Sequence, residues 1–216
     1  MNDVSLDAVP VPGTAAAAAA LDVATAHLSP ALLNHSLRAY FWAAARGTAD
    51  GVRFDPELLY VAALFHDIGL VPVFDSHTVA FEEAGGHVAR VFAAGAGWPA
   101  ERRARLSDVI VRHMWPRVDV ATDPEGHLLA RATATEIVGT EADAYPSRFR
   151  DEVLDRHPRL DLAASFLGPE PARLHRLRPA TATPLGRGAG SVPSRRGLPG
   201  GPVGRGPAPA RLRRPG

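Results

Sequence analysis

Apolar residues recur at helical spacing along most of the chain, and Pro and Gly interrupt that pattern at regular intervals. Alternating runs of β-branched residues, which would indicate strands, are few. The pattern therefore predicts an all-α protein, a compact helical bundle with short connections. The predicted helices are an alanine-rich first helix and then, by residue number, 30–46, 56–68, about 79–94, 99–114, 124–145, 147–157 and 159–167.

The most apolar stretch of the chain, LLYVAALFHDIGL at residues 58–70, ends on two polar residues, His66 and Asp67. Asp55 fits the N-cap of this helix, and the apolar run indicates burial on nearly all sides. Gly69 is the expected stop, which places Asp67 in the last turn, where unpaired carbonyl groups disfavour a carboxylate. The pattern therefore predicts a cationic partner for this carboxylate in the interior.

A second histidine, His35, also falls on an apolar helix face, shared with Leu32 and Ala39. His66 shares its own face with Ala62. A single buried histidine is more often a hydrogen-bonded core residue than a ligand. Two core-facing histidines together with the buried carboxylate favour a common site.

The order of these motifs resembles a known superfamily. The chain reads NHSLRAY, then LFHDIG, then FEEAGGHVARVF, IVRHMWP and GTEADAY, and together these motifs span about residues 28–167. This succession resembles the HD-domain superfamily of metal-dependent hydrolases, and in particular the branch that includes cyanamide hydratase. The resemblance implies a helical bundle of the HD-domain type.

The resemblance also implies a metal site. It identifies His35, His66, Asp67 and Asp143 as ligands of one divalent ion, for which Zn, Fe, Mn and Ni are all suitable. Glu141 is the alternative to Asp143 as the fourth ligand. Since the chain has no cysteine, any metal must be held by histidines and carboxylates.

Further polar residues are candidates for catalysis and substrate binding. The catalytic candidates are His113, Glu82 and Asp67, and the substrate-binding candidates are Arg38 and His87. Glu82 is placed near the start of a helix, whose dipole favours its anion. The alternative for His113 is a core histidine. If His113 and His87 were both ligands, the order would resemble the two-metal members of the superfamily, which include a di-iron oxygenase branch.

The composition divides the chain into three parts. Residues 171–216 contain 9 Pro, 9 Gly and 10 Arg and no acidic or aromatic residue, which predicts a disordered tail. A shifted reading frame in GC-rich DNA would yield the same composition as a genuine flexible tail. Residues 28–170 are the predicted metal-dependent hydrolase domain, and residues 1–27 are a loose N-terminus with a possible first helix.

Charge and composition limit the functions to be considered. Outside the tail, 14 basic residues face all 23 acidic ones, a net charge of about −9, and the chain has no Lys and no Gly-rich phosphate loop. A small neutral nitrile such as cyanamide, attacked by a metal-activated water, is therefore favoured over a phosphate ester. The alternatives are a phosphohydrolase, a two-metal oxygenase and a non-catalytic metal-binding regulatory module.

The partners expected from the sequence are few. We expect a small-molecule substrate, no nucleic acid, since the basic tail has no aromatic residue for base stacking, and no membrane. The N-terminus lacks the basic region of a signal peptide, so a cytoplasmic protein is expected. The oligomeric state is left open, homo-oligomers included.

Overall fold

The computed structural model describes residues 5–163, and these residues form seven α-helices and no strand. The prediction of an all-α bundle is thus confirmed. Three 3₁₀ turns, Leu6–Ala8, Ile68–Leu70 and Ala142–Ala144, lie between or before the helices. The helices are α1 (Ala15–His27), α2 (Pro30–Ala49), α3 (Pro56–Phe65), α4 (Phe81–Gly95), α5 (Ala100–Arg112), α6 (Pro124–Val138) and α7 (Ser147–Arg156).

Helix α3 is the centre of the bundle. Its residues from Leu58 to Phe65 are all buried, and it contacts α1, α2, α4, α5 and α6. The side chain of Asp55 caps its start by accepting hydrogen bonds from the backbone N–H groups of Glu57 and Leu58. This helix is apolar on every side because every side meets another element, as the sequence predicts.

Two helix ends differ from the prediction, and both matter for the site. Helix α3 ends at Phe65 and not at Gly69, so that Asp67 lies in the turn that follows the helix. Helix α6 ends at Val138, because Gly139 takes the left-handed conformation (φ 73°) that closes helices. The predicted helix to residue 145 is therefore wrong, and Asp143 falls in the next 3₁₀ turn.

The N-terminal segment packs on the domain, which corrects the expectation of a loose N-terminus for the part that the structure describes. Leu6 is 1% exposed, and its backbone N–H donates to the carboxylate of Glu152 in α7 at 2.7 Å. Tyr40 in α2 donates its hydroxyl to the carbonyl of Pro10 at 2.6 Å. The predicted tail, 171–216, lies outside the described residues.

None of the helices among residues 5–163 is long and apolar enough to cross a membrane.

A close approach of backbones sets α4 against the turn after α3. A Cβ added to Gly69 would lie 2.0 Å from the carbonyl oxygen of Phe81, and one added to Gly85 would lie 3.1 Å from that of Phe65. Gly69 leaves no room for a side chain and Gly85 leaves little, because the first turns of α4 lie directly on the end of α3. The glycine at 69 thus serves close packing and does not terminate the helix.

We expect Gly69→Ala to destabilise the protein by at least the 1–3 kcal/mol that is typical of overpacking, because the obstructing atom is backbone and cannot turn aside. Thermal unfolding of the purified variant measures this. Gly95→Ala is the matched control, since a Cβ at Gly95 meets nothing within 4 Å. Equal unfolding midpoints for the two variants would contradict the close approach.

Candidate metal centre

Three side chains meet in a buried cluster beneath the bundle surface. His35 comes from the middle of α2, whereas His66 and Asp67 directly follow the end of α3. The Nε2 atoms of the two histidines are 3.1 Å apart, and Asp67 Oδ2 lies 3.3 Å from His35 Nε2 and 3.2 Å from His66 Nε2. All three side chains are buried. The structure thus brings together three of the four predicted ligands.

A third histidine, His113, lies against this cluster. It follows the end of α5, its ring packs edge-on against that of His66, and its Nε2 is 3.8 Å from Asp67 Oδ1. The ring of Phe81, the first residue of α4, covers the other side at a centroid distance of 5.9 Å. His113 therefore adds a third imidazole nitrogen directed at the same carboxylate.

The hydrogen bonds at the rear of two rings determine which nitrogen carries the proton. His66 Nδ1 lies 2.8 Å from the carbonyl oxygen of Ala63, and His113 Nδ1 lies 2.5 Å from that of Ile110. A carbonyl oxygen only accepts, so Nδ1 must be the protonated nitrogen in each ring. The Nε2 atoms of neutral His66 and His113 are then unprotonated, and their lone pairs point into the cluster.

The cluster shifts the pKa values of its members. Burial alone would raise the pKa of Asp67, but His66 and His35 lower it well below its ordinary value. Burial lowers the pKa of His35, and the neighbouring carboxylates of Asp67 and Glu136 outweigh it, so that the net shift is upward. Burial and the neighbouring His66 lower the pKa of His113 to about 4. The site therefore holds an anion and a neutral imidazole side by side.

This donor set fits a divalent metal ion. With Nε2 of both His35 and His66 unprotonated, their lone pairs and the carboxylate oxygen would repel one another at 3.1–3.3 Å unless a cation lay between them. Imidazole nitrogen and carboxylate oxygen suit Zn and the neighbouring transition metals, and catalytic zinc sites hold three protein ligands and leave a position for water. Among the described residues, His35, His66 and Asp67 are the one group of this kind.

A buried ion pair stands behind His35, and it corrects the interpretation of Arg38. Arg38 is fully buried and does not line the pocket; its guanidinium donates from Nε to Glu136 Oε1 at 2.7 Å and also from Nη2. It therefore cannot contact a substrate. Glu136 Oε1 in turn lies 3.7 Å from His35 Nδ1. Burial raises the pKa of Glu136, but His35 and Arg38 lower it to about 2.

The sequence analysis missed Glu136. The signal was available, since Glu136 lies four and eight residues after Ala132 and Leu128 and so shares the buried face of α6. An acidic residue on a buried helix face needs a partner in the interior.

Asp143 is not brought to the cluster. Its side chain is fully exposed (104%), and its nearest charged partner is Arg150, at 3.6 Å. The reason is the left-handed Gly139, which ends α6 and turns the chain away before Asp143. Glu141, the alternative ligand, is also exposed and pairs with Arg131. The predicted fourth ligand is therefore corrected: neither carboxylate reaches the three buried side chains.

The two candidates on α4 are placed differently. His87 is exposed and is absent from the described residues that line the pocket, which corrects its prediction as a substrate-binding residue. Helical geometry turns it away, because the face of α4 that carries Gly85 and Gly86 is the packed one. Glu82 is buried in the first turn of α4 and is likewise absent from the lining. Its role in proton transfer stays a prediction.

A cavity of about 1270 Å³ leads from the cluster to the surface. One wall is α6 and another is the segment after α5. His127 lines this cavity and is held by a contact of Nδ1 with the carbonyl oxygen of Val118 at 2.8 Å. Its apolar lining includes Phe81, Met114, Val118, Ala130 and Ala134, and its polar lining outside the cluster includes Arg117, Asp119, Arg131 and Glu141.

Comparison with known proteins agrees with this geometry. A family model for the HD domain matches residues 32–115, a range that includes the three clustered ligands and His113 and ends before α6. The cyanamide hydratases DDI2 and DDI3 of Saccharomyces cerevisiae are each 28% identical over 162 residues, which cover 73% of this chain and 72% of the yeast protein. Residues 32–115 therefore form an HD domain, and these matches support a metal-dependent hydrolase or hydro-lyase that is similar to the yeast cyanamide hydratases.

Proposed function

We propose that the protein adds water to a small neutral nitrile of the cyanamide type, with one divalent ion held by His35, His66 and Asp67. The observation that carries this proposal is the convergence of the Nε2 atoms of His35 and His66 on the buried carboxylate of Asp67. Zn, Fe, Mn and Ni all suit this donor set. When bound, such an ion supplies Lewis acidity and lowers the pKa of a water molecule.

The lining of the cavity favours a neutral substrate over a phosphate ester. Phosphoryl transfer needs cations that stabilise the negative charge of the transition state. Arg131, which lines the cavity, is paired with Glu141 and Asp50, and Arg117, which also lines it, is exposed. These are the two arginines among the described lining residues, and neither belongs to the buried cluster. The similarity to proteins named cyanamide hydratase supports the same choice.

His113 is the best-placed group for moving a proton. Its Nδ1–H is held by the Ile110 carbonyl, which leaves Nε2 as an acceptor that faces the cluster. Hydration forms a C–O bond at the nitrile carbon and moves both protons of water to the nitrile nitrogen, the first as water adds and the second as the resulting hydroxy-imine tautomerises to the amide. Nε2 of His113 accepts a proton from the attacking water and returns it to that nitrogen, so the histidine is unchanged at the end. Cyanamide would yield urea.

We expect Asp67→Ala to lose the bound metal, because it removes the single carboxylate of the cluster. Elemental analysis of the purified variant and of the parent protein measures this, with about one equivalent expected in the parent. Asp143→Ala is the matched control and should keep the metal, since Asp143 is exposed and is not part of the buried cluster. Loss of metal from Asp143→Ala alone would restore the sequence-based ligand set and contradict the structure.

We expect His113→Ala to keep about one equivalent of metal while kcat for cyanamide hydration falls by about 10²- to 10⁴-fold, the usual range for loss of an acid–base group. Urea formation is measured over a range of cyanamide concentrations. His87→Ala is the control and should behave as the parent, because the exposed His87 is outside the cavity lining.

A substrate panel separates the alternatives to this function. Cyanamide, acetonitrile, a nucleoside monophosphate and a generic phosphodiester are offered to the metal-loaded protein. Turnover of the phosphate esters without turnover of the nitriles would identify a phosphohydrolase. Two equivalents of iron in the parent protein would instead favour the oxygenase, and bound metal without turnover of any compound would favour a regulatory module.

A further inference from the structure

The three histidines of the centre are oriented in two different ways. His66 and His113 each directly follow the last residue of a helix, and each directs Nδ1 at the carbonyl three residues earlier, that of Ala63 or Ile110. The last four carbonyl groups of a helix have no partner within the helix and are free to accept such a bond. A histidine at a helix end is thus oriented by its own helix.

His35 lies in a different position, because it is the sixth residue of the 20-residue helix α2. The carbonyl groups around it already accept the hydrogen bonds of the helix and are not available to Nδ1. What faces its Nδ1 is the carboxylate of Glu136 from α6, with Oε1 at 3.7 Å. The opposite edge of the ring, Nε2, points at His66 and Asp67.

Glu136 is itself held in a fixed position. Oε1 accepts hydrogen bonds from Arg38 Nε and Nη2, and Oε2 accepts one from Trp42 Nε1 at 3.0 Å. Arg159 approaches Oε1 to 3.4 Å through Nη1. Both Arg38 and Glu136 have 0% side-chain exposure. The carboxylate therefore has donors on both oxygens and little freedom to turn.

Stability is a poor explanation for this buried pair. Replacing a buried ion pair with apolar residues of similar volume is often neutral or stabilising, because burial removes both charges from water. A carboxylate placed behind a metal-binding imidazole has a specific use: it draws the proton to the rear nitrogen and leaves the front nitrogen free for the metal. The position of Glu136 behind His35 matches this use.

We propose that Glu136 is a positioning residue for the metal ligand His35. Its carboxylate favours the proton on Nδ1 of His35 and keeps Nε2 directed at the centre, while Arg38 and Trp42 fix the carboxylate. The inference rests on the proposed metal site. In it, Glu136 of α6 orients the ring of His35, as a free helix carbonyl orients the rings of His66 and His113.

The test compares two buried glutamates of the same helix. In Glu136→Gln, the amide has a single acceptor oxygen and brings its own donors to a place that already holds donors from Arg38 and Trp42, so it cannot replace the carboxylate. Glu125→Gln is the matched control, because Glu125 is also buried on α6 and paired with an arginine, Arg105. Glu125 accepts from the backbone N–H of Asp55, at the other end of the helix.

We expect Glu136→Gln to weaken the binding of Zn²⁺ by about 10- to 100-fold, the range found for the outer partners of metal ligands. Competition with a chromophoric chelator measures the affinity. Glu125→Gln should bind Zn²⁺ as the parent does, even if its unfolding midpoint falls. In ¹⁵N spectra of histidine-labelled protein, the ring of His35, identified by the signal lost in His35→Gln, should show protonated Nδ1 in the parent and a shift toward protonated Nε2 in Glu136→Gln. A loss of packing alone would not move this tautomer.

A second variant covers the case in which Glu136→Gln does not fold. Replacing both members of the pair, as Arg38→Met with Glu136→Met, removes the carboxylate and leaves no unpaired partner within the pair. This protein should fold and still bind Zn²⁺ about 10- to 100-fold more weakly than the parent. Unchanged affinity and an unchanged His35 tautomer in either folded variant would overturn the proposal. A parent protein that binds no Zn²⁺ would overturn the metal site itself, and the proposal with it.

Discussion

Two imidazole nitrogens and a carboxylate oxygen lie within 3.3 Å of one another in the interior, and a cation among them would remove the repulsion between their lone pairs. The carboxylate is Asp67, which directly follows the central helix, where free carbonyl groups add further negative potential. A proton lowers this repulsion in part, whereas a divalent ion accepts all three donors. The negative potential that favours a cation therefore arises at the end of α3, and the other helices supply the remaining groups of the centre.

The position of each histidine along its helix decides what orients its ring. His66 and His113 lie at helix ends, where free carbonyl groups accept from Nδ1. His35 lies inside a helix, where no carbonyl is free, and its Nδ1 faces a carboxylate from another helix. The same Arg38 that holds this carboxylate also donates from Nη1 to the carbonyl groups of His157 and Pro158, after α7. The chain beyond α7 is thereby attached to the rear of the centre.

Close packing controls how the cavity is shaped. Because Gly69 and Gly85 allow backbone to touch backbone, α4 begins directly beside the centre and places Phe81 against His113. Helix α6 contributes small and apolar residues such as Ala130 and Ala134 to the facing wall, together with His127 and Arg131. The apolar part of this lining suits a small neutral substrate, since a charged substrate would have to be desolvated there without a partner.

The features of the fold and the site that could be predicted from the sequence are those that depend on residues close together in the chain. Helix starts were predictable, because Ser29, Asp55 and Asp123 each cap the helix and precede a proline at its first position. The burial of α3 and the meeting of His35 with His66 and Asp67 followed from apolar spacing and from the motif order.

Tertiary structure decided the rest. Gly139 ends its helix and Gly69 does not, and this difference depends on backbone contacts and on φ, which residue type alone does not determine. Because α6 ends at Gly139, Asp143 stays outside the centre. The partner of Arg38, nearly a hundred positions away along the chain, was likewise decided by which face of α6 packs on α2, and no local pattern encodes that pairing.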